Sequence, residues 1–212
     1  MAVITLVPNN DHTIAQDYQG SLYHYLNIDE TVLNEADYNY CTNSNLSKTD
    51  RYGFSNPTGD AGVRAQAING VALKIKAKKI IIGTDATEIQ IGLLVRVSDI
   101  DYTQNVTPTT SITELSYSWA LNPNTGAAWT WTQLDNMIAG DTITAHYINK
   151  MNYCGSYVYQ MWMDITYGES ASNAKMIKVN GVWRSISNSM VKVNGVWKAI
   201  SDSMVKINDW KK

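Results

Sequence analysis

The residues able to do chemistry are few and widely spaced. His12, His24 and His146 are the three histidines, and none stands in a metal-ligand spacing such as His-x3-His. Their expected places are exposed loops and strands rather than a catalytic centre. Asp29, Glu30, Glu35 and Asp37 form an acidic cluster of hard oxygen ligands, but without the regular Asp-x-Asp-x-Asp-Gly spacing of a calcium loop. A solvated acidic loop is the simpler reading. Gly-x-Ser-x-Gly and phosphate-cradling glycine loops are absent, and no carboxylate pair stands in a setting that suggests glycoside hydrolysis. No catalytic residue, metal or cofactor is therefore expected. Cys41 and Cys154 could meet across neighbouring strands. Cytosolic synthesis favours two buried thiols over a disulfide, and both states stay open.

The aromatic residues point to binding instead. Tyr 13 and Trp 7 against Phe 1 favour surfaces that combine apolar area with a polar tip. Proteins hold sugars by stacking pyranose faces on such rings beside amide hydrogen-bonders. Tyr23, Tyr25, Tyr52 and Tyr102 are candidates for glycan stacking, with Tyr18, Tyr38 and Trp119 also available. Against this, aromatics at alternating strand positions are usually core.

The elements that would position these residues read as β-structure. Val3 to Val7 is a first strand, closed by a turn at Pro8-Asn9-Asn10-Asp11. Leu22, Tyr23, Tyr25, Leu26 and Ile28 suggest a strand, Tyr38 and Tyr40 another, and residues 43–60 a long surface loop. Gly70 to Lys79 alternates cleanly, with Val71, Leu73, Ile75 and Ala77 inward and Lys74, Lys76 and Lys78 outward. In Glu88 to Val97, Ile89, Ile91, Leu93, Val95 and Val97 face inward, and Gln90, Leu94 and Arg96 outward. A Thr-rich loop over 103–113 leads to a strand ending at Trp119, and strands over 142–148 and 157–167 finish the domain. In the last, Tyr157, Tyr159, Met161, Met163 and Ile165 share a face.

Between Trp119 and residue 142 the pattern changes. Asn122-Pro123-Asn124-Thr125-Gly126 is a turn, and Thr130 with Gln133 has the spacing of a capping box. Trp131, Leu134 and Ile138 fall on one helical stripe, with Gly140 where the helix would end. Together with Trp119 and Trp129 they are expected to plug one end of the core.

Residues 169–175 read as a small-residue linker, and beyond it the chain repeats. Met176, Met190 and Met204 each open a Met-(Ile/Val)-Lys-(Val/Ile)-Asn segment, a period of 14 residues. Asn180-Gly181 and Asn194-Gly195, flanked by alternating apolar residues, signal hairpins with two-residue turns. Val179 should then face Val182, and Lys178 should face Trp183. The third repeat, Asn208-Asp209-Trp210, lacks the glycine and should pair as a terminal strand. Asn180, Gly181, Trp183, Asn194, Gly195, Trp197 and Trp210 are the expected assembly residues, because hairpins this small need a partner surface.

Charge and hydropathy limit the partners. The net charge of −2 over 212 residues offers no electrostatic reason to bind nucleic acid. No apolar run approaches the ~20 residues that cross a membrane, and the start of the chain lacks the basic and apolar regions of a signal peptide.

Asn122-Pro123-x-Thr125-Gly126-x-Ala128-Trp129-Thr130, then Ala139-Gly140 and the strand Tyr157-Val158-Tyr159-Gln160, resembles a domain of virion structural proteins in tailed bacteriophages. The likeness extends back to Leu6-Val7-Pro8-Asn9 and so covers residues 1–168. The Val-Asn-Gly-Val-Trp repeats look like terminal repeats of phage tail and fibre proteins. Residues 149–156 depart from the basic, Gln-containing segment usual before the closing strand. The resemblance implies no catalytic residues. It implies a virion protein made in the host cytoplasm, partnered by copies of itself (a trimer among the options) and by other virion proteins. Host glycans are a further candidate partner through a carbohydrate-binding role. The expected architecture is all-β: an antiparallel, jelly-roll-like β-sandwich over 1–168 with one short helix, a linker over 169–175, and a β-hairpin repeat tail over 176–212.

Overall fold

The computed structural model describes residues 1–42, 47–57, 61–82, 86–147, 153–168, 175–179, 182–186, 190–193 and 196–199. The chain divides into two compact units, Met1–Glu169 and Ser170–Lys212. The first is an antiparallel sandwich. Its six-stranded sheet contains β1 (Ala2–Leu6), β3 (Asp17–Gln19), β4 (Tyr38–Thr42), β6 (Ile68–Ile82), β9 (Thr113–Trp119) and β11 (Tyr153–Tyr167). The order is β3-β4-β11-β6-β9, with β1 lying beside β4 along the same edge of β11. The five-stranded sheet contains β2 (Pro8–Thr13), β5 (Ser47–Phe54), β7 (Ala86–Val97), β8 (Ile100–Val106) and β10 (Ile138–Tyr147), in the order β2-β5-β10-β7-β8. Most connections carry the chain from one sheet to the other, so the faces can close only on a shared core.

The alternating segments build that core. Val71, Leu73, Ile75 and Ala77 of β6 are fully buried, as are Ile91, Leu93 and Val95 of β7. Leu94 is buried too, although it was expected to face outward. On that outer face Gly140 pairs with both Arg51 and Leu94. Having no side chain there lets Arg51 reach from β5 across β10 and β7 to Asp101 on β8. Burial alone would raise the Asp101 pKa; the bonds from Arg51 and Arg96 outweigh it and hold that pKa below its ordinary value.

Four expectations need correction. Pro8 to Asp11 is part of β2, an edge strand on which proline costs no ladder bond. Leu22 to Ile28 is no strand; His24–Asn27 is a 3-10 turn, with Ile28 buried and Leu22 and Tyr23 exposed. Within the supposed loop over 43–60, Ser47–Phe54 is β5, whose Asp50, Tyr52 and Phe54 point into the core. The Thr-rich loop is shortened by β8.

A β-bulge corrects the last strand. Val158 pairs with Ala77 and Gln160 with Lys76, so Tyr159 is an extra residue between them. Val158, not Tyr157, therefore shares the core face with Met161, Met163 and Ile165. Tyr157 stacks on Tyr38 of the outer face, ring centroids 4.4 Å apart.

The end plug forms by a shorter helix than expected. The capping box holds: Gln133 N donates to Thr130 Oγ1 at 3.3 Å, and Thr130 N donates to Gln133 Oε1 at 2.9 Å. The helix, α2, covers only Trp131–Leu134, and Asn136 then takes φ 58°. Ile138 accordingly belongs to β10 and not to the helical stripe, and Gly140 is a strand residue. Trp119, Trp129, Trp131 and Leu134 are all buried. Trp129 Nε1 donates to Trp119 O at 2.9 Å, and Trp131 Nε1 to Gln66 O at 2.9 Å. Arg64, at the end of α1 (Ala61–Arg64), lies over Trp131 and forks onto Asp135 at 3.0 and 2.6 Å.

In the second unit β12 (Lys175–Val179) pairs with β13 (Val182–Ile186), and β14 (Met190–Val193) with β15 (Val196–Ala199). Val179 faces Val182 and Lys178 faces Trp183; Val193 faces Val196 and Lys192 faces Trp197. This is the register two-residue turns require. Of the linker expected over 169–175, Lys175 instead opens β12; its other residues, the turn residues Asn180, Gly181, Asn194 and Gly195, and the third repeat with Trp210 lie outside the described residues.

Gly140 yields a test of the sandwich. A Cβ there would collide with the Asp50 carbonyl oxygen, whereas at Gly126 (φ +68°) it would meet nothing within 4 Å. Gly126→Ala is expected to cost about 1 kcal/mol of backbone strain. Gly140→Ala must force β5 and β10 apart and should lower the urea midpoint at least twice as far. Equal midpoints for the two variants would contradict this pairing.

Candidate functional site

The interior holds a polar network that the sequence did not announce. Asp50 and Asp141 are cross-strand partners on β5 and β10, and both are fully buried. Asp50 Oδ1 accepts from Ala15 N at 2.6 Å and Gln16 N at 2.8 Å. Its Oδ2 lies 2.6 Å from His24 Nδ1 and accepts from Tyr52 Oη at 3.1 Å. Asn39 Nδ2 donates to Tyr52 Oη at 2.9 Å, which joins β4 of one sheet to β5 of the other. Asn27 Nδ2 donates to Asn39 Oδ1 at 3.0 Å and so brings in the 3-10 turn. His24 was expected on an exposed loop or strand; it is buried, in contact with an aspartate. Tyr52, a glycan-stacking candidate, is likewise fully buried and unavailable to any sugar.

His24 and Asp50 have the geometry of a base and the carboxylate that orients it. Burial keeps both from solvent, and the hydroxyl that Asp50 meets is that of the enclosed Tyr52, whose pKa burial and the nearby Asp50 push well above its ordinary value. The network ties the 3-10 turn and both sheets together. Asp141 carries its main tension. Burial, with the Asp50 charge adding to it, raises the Asp141 pKa from 3.8 to about 8, against an opposing bond from Gln16 Nε2 at 2.6 Å. Asp141 is therefore protonated at neutral pH.

Two surface troughs among the described residues are lined by aromatic rings. One, of about 620 Å³, runs along the open side of the sandwich where β8 and β9 are the edges of their sheets. Tyr102, Tyr117, Trp119 and Asn122 line it, and Tyr102 Oη donates to Asn124 Oδ1 at 2.8 Å. The other, of about 330 Å³, lies on the outer face of the six-stranded sheet and is lined by Trp162, Lys76, Gln160, Glu114, Glu30 and Thr31, among others. Of the remaining stacking candidates, Tyr23 is exposed and Tyr25 packs partly into the core, their rings 6.2 Å apart. They line neither trough. Sequence reasoning singled out Tyr102 and Trp119 but missed Trp162. The available signal was its place between Gln160 and Asp164 on the polar face of β11, opposite the lysine-coated face of β6.

The acidic cluster does not gather into a metal site; among the described residues no group of three or more His, Cys, Asp or Glu could hold an ion. Cys41 and Cys154 are buried thiols on adjacent strands, not a disulfide. Burial, reinforced by Cys41, raises the Cys154 pKa. Among the described residues no helix is long and apolar enough to cross a membrane. No protein-family model matches the chain, and no curated protein matches its sequence.

Asp141 makes stability depend on pH. The folded chain keeps this proton up to about pH 8, while the unfolded chain releases it near 3.8. Unfolding in that window releases a proton, so the contribution of Asp141 to stability falls as pH rises from about 4 to about 8 and is level above. Asp141→Asn keeps the neutral shape without the titration. Its urea midpoint should decline less between about pH 5 and pH 8 than that of the unaltered chain. Parallel declines would show that Asp141 is ionised in the fold.

Proposed function

We propose that this is a non-enzymatic structural protein of a tailed-bacteriophage particle, a capsid-decoration, fibre or tail component that assembles through its sandwich and its hairpin tail. The observation that carries the reading is the second compact unit: two hairpins in identical register, repeated every 14 residues. Two-stranded hairpins are marginal alone, so a unit built of them gains most from a partner surface. Copies arranged symmetrically multiply weak contacts into avidity. The edge strands β8 and β9 add a second place for self-association, since their outer edges have no strand partner among the described residues. The likeness of residues 122–130 and of the repeats to virion proteins supports the same reading. Its partners are copies of this chain and other virion proteins, and its place is the virion.

A second reading, host attachment through a carbohydrate, is favoured by a specific observation: the Trp-floored trough on the outer face of the six-stranded sheet. A virion protein can serve both roles.

Deletion of 170–212 tests the main reading. The remaining sandwich should melt cooperatively, because its core lies within Met1–Glu169. It should no longer form the oligomer, or enter the particle, that the full chain does. A truncated chain that assembles as the full chain does would refute the role given to the tail.

A further inference from the structure

The 330 Å³ trough is small and built mainly on one sheet face. Register sets Trp162 opposite Lys74, Gln160 opposite Lys76, and Lys76 opposite Glu114. The loop after the 3-10 turn brings Glu30 and Thr31 to its rim. Two bonds hold that loop down: Gln160 Nε2 donates to Glu30 O at 2.8 Å, and Met161 N to Ile28 O at 2.8 Å. The volume is in the range of small-ligand sites.

Its polar groups are unevenly used. Lys74 is engaged by Asp164 at 3.0 Å and Glu114 at 3.5 Å. One residue pair further along, the Lys76 amino group has no ion pair among the described residues. Glu30 Oε2 is buried without a hydrogen-bond partner. Burial raises the Glu30 pKa against a bond from its own backbone amide, and the charges of Asp29 and Asp37 add to the rise. Buried polar atoms almost always find partners, so this donor and this acceptor are poised for a ligand that supplies them.

The ligand must accept from Lys76, bond to Glu30 and set an apolar face against the Trp162 indole. Charge narrows the choice. Glu30 and Glu114 oppose an anion, while Lys74 and Lys76 oppose a cation. A sugar ring satisfies every condition: its C–H face is apolar, and each hydroxyl both donates and accepts.

We propose that this trough binds a neutral pyranose, stacked on Trp162 with its hydroxyls bonded to Lys76, Glu30 and Gln160. The assignment rests on the attachment reading above and goes beyond it in naming the face and the ligand class. The larger trough at β8 and β9 is the internal control, because it too offers aromatic rings and amides.

The test is an array of neutral glucose, galactose and mannose oligosaccharides alongside sialylated and uronate-bearing ones, probed with the full chain. Hits are then titrated by calorimetry. Binding of a neutral series is expected, weakened about tenfold or more by Trp162→Ala, equivalent to about 1.4 kcal/mol. Trp162→Tyr should retain most affinity and Tyr102→Ala all of it. Glu30→Gln and Lys76→Met, on the rim, should each weaken binding severalfold, and they decide the matter if Trp162→Ala does not fold. A silent array overturns both the attachment reading and the site. Neutral-glycan binding unmoved by the Trp162, Glu30 and Lys76 variants keeps that reading and overturns this trough. Binding confined to acidic glycans overturns the ligand class.

Discussion

The sandwich depends on how the Asp50 carboxylate is satisfied. A carboxylate without water costs several kcal/mol unless its lone pairs are filled. Here two backbone amides from Ala15 and Gln16, the His24 ring and the Tyr52 hydroxyl fill them. Each donor comes from a position that must be fixed for the bond to form. The segment after β2 must turn inward at Ala15 and Gln16. His24 must sit in the 3-10 turn, and β5 must present Asp50 and Tyr52 to the interior. Tyr52 then passes the constraint to Asn39, and so to the other sheet. Hydrophobic burial favours many registers of two greasy faces; this bond set accepts one. On this view the buried polar residues set the relative placement of the sheets, while Leu73, Ile91, Met163 and their neighbours supply most of the driving force.

The same network explains which parts of the fold could be read in advance. Segments governed by burial alone were legible: β6 alternates because one face is core and the other is solvated. The capping box at Thr130 and Gln133 and the hairpin registers in the tail were legible because they depend on local geometry. β5 was not. Ser47-Lys48-Thr49-Asp50-Arg51-Tyr52-Gly53-Phe54 looks like loop by composition, and it is a strand because partners distant in sequence satisfy its polar side chains. His24 was misjudged for the same reason. Ile138 was drawn into a helix by its spacing, but Asn136 in the left-handed region ends that helix geometry first. Tyr157 was placed inward by strict alternation, which one bulge residue is enough to invert.

The candidate site was less legible than the fold. Tyr52 was proposed for stacking because it is a tyrosine in an apparently exposed loop, and that loop proved to be a core strand. Trp162 carries no motif. Its significance lies in the residues that surround it, drawn from β1, β6, β9, β11 and the 29–31 loop, and this convergence exists only after the bulge at Tyr159 and the register of β6 on β11 are fixed. Glu30 was read as one of four solvated acids. The structure bonds Asp37 locally to Asn34 and ties the Glu30 backbone to Gln160, with Glu30 Oε2 buried.

If the chain acts as proposed, in a particle, it must keep self-association from consuming the surface that meets anything else. The architecture offers a physical way to do so. Strand edges and hairpins associate through backbone bonds and apolar contact, which are tolerant of sequence and lie at the side and in the second unit. The broad outer face of the six-stranded sheet is ill suited to such packing, because Lys74, Lys76, Lys78, Glu114 and Asp164 would have to be desolvated without new partners. The same charges make that face a good support for a hydroxyl-rich ligand, which replaces water bond for bond while one indole contributes the apolar contact. Lysines that discourage a second copy from stacking there thus also leave Lys76 open to a small polar guest. Assembly and attachment would compete for one surface if the sheet face were apolar; with an alternating β6 they need not.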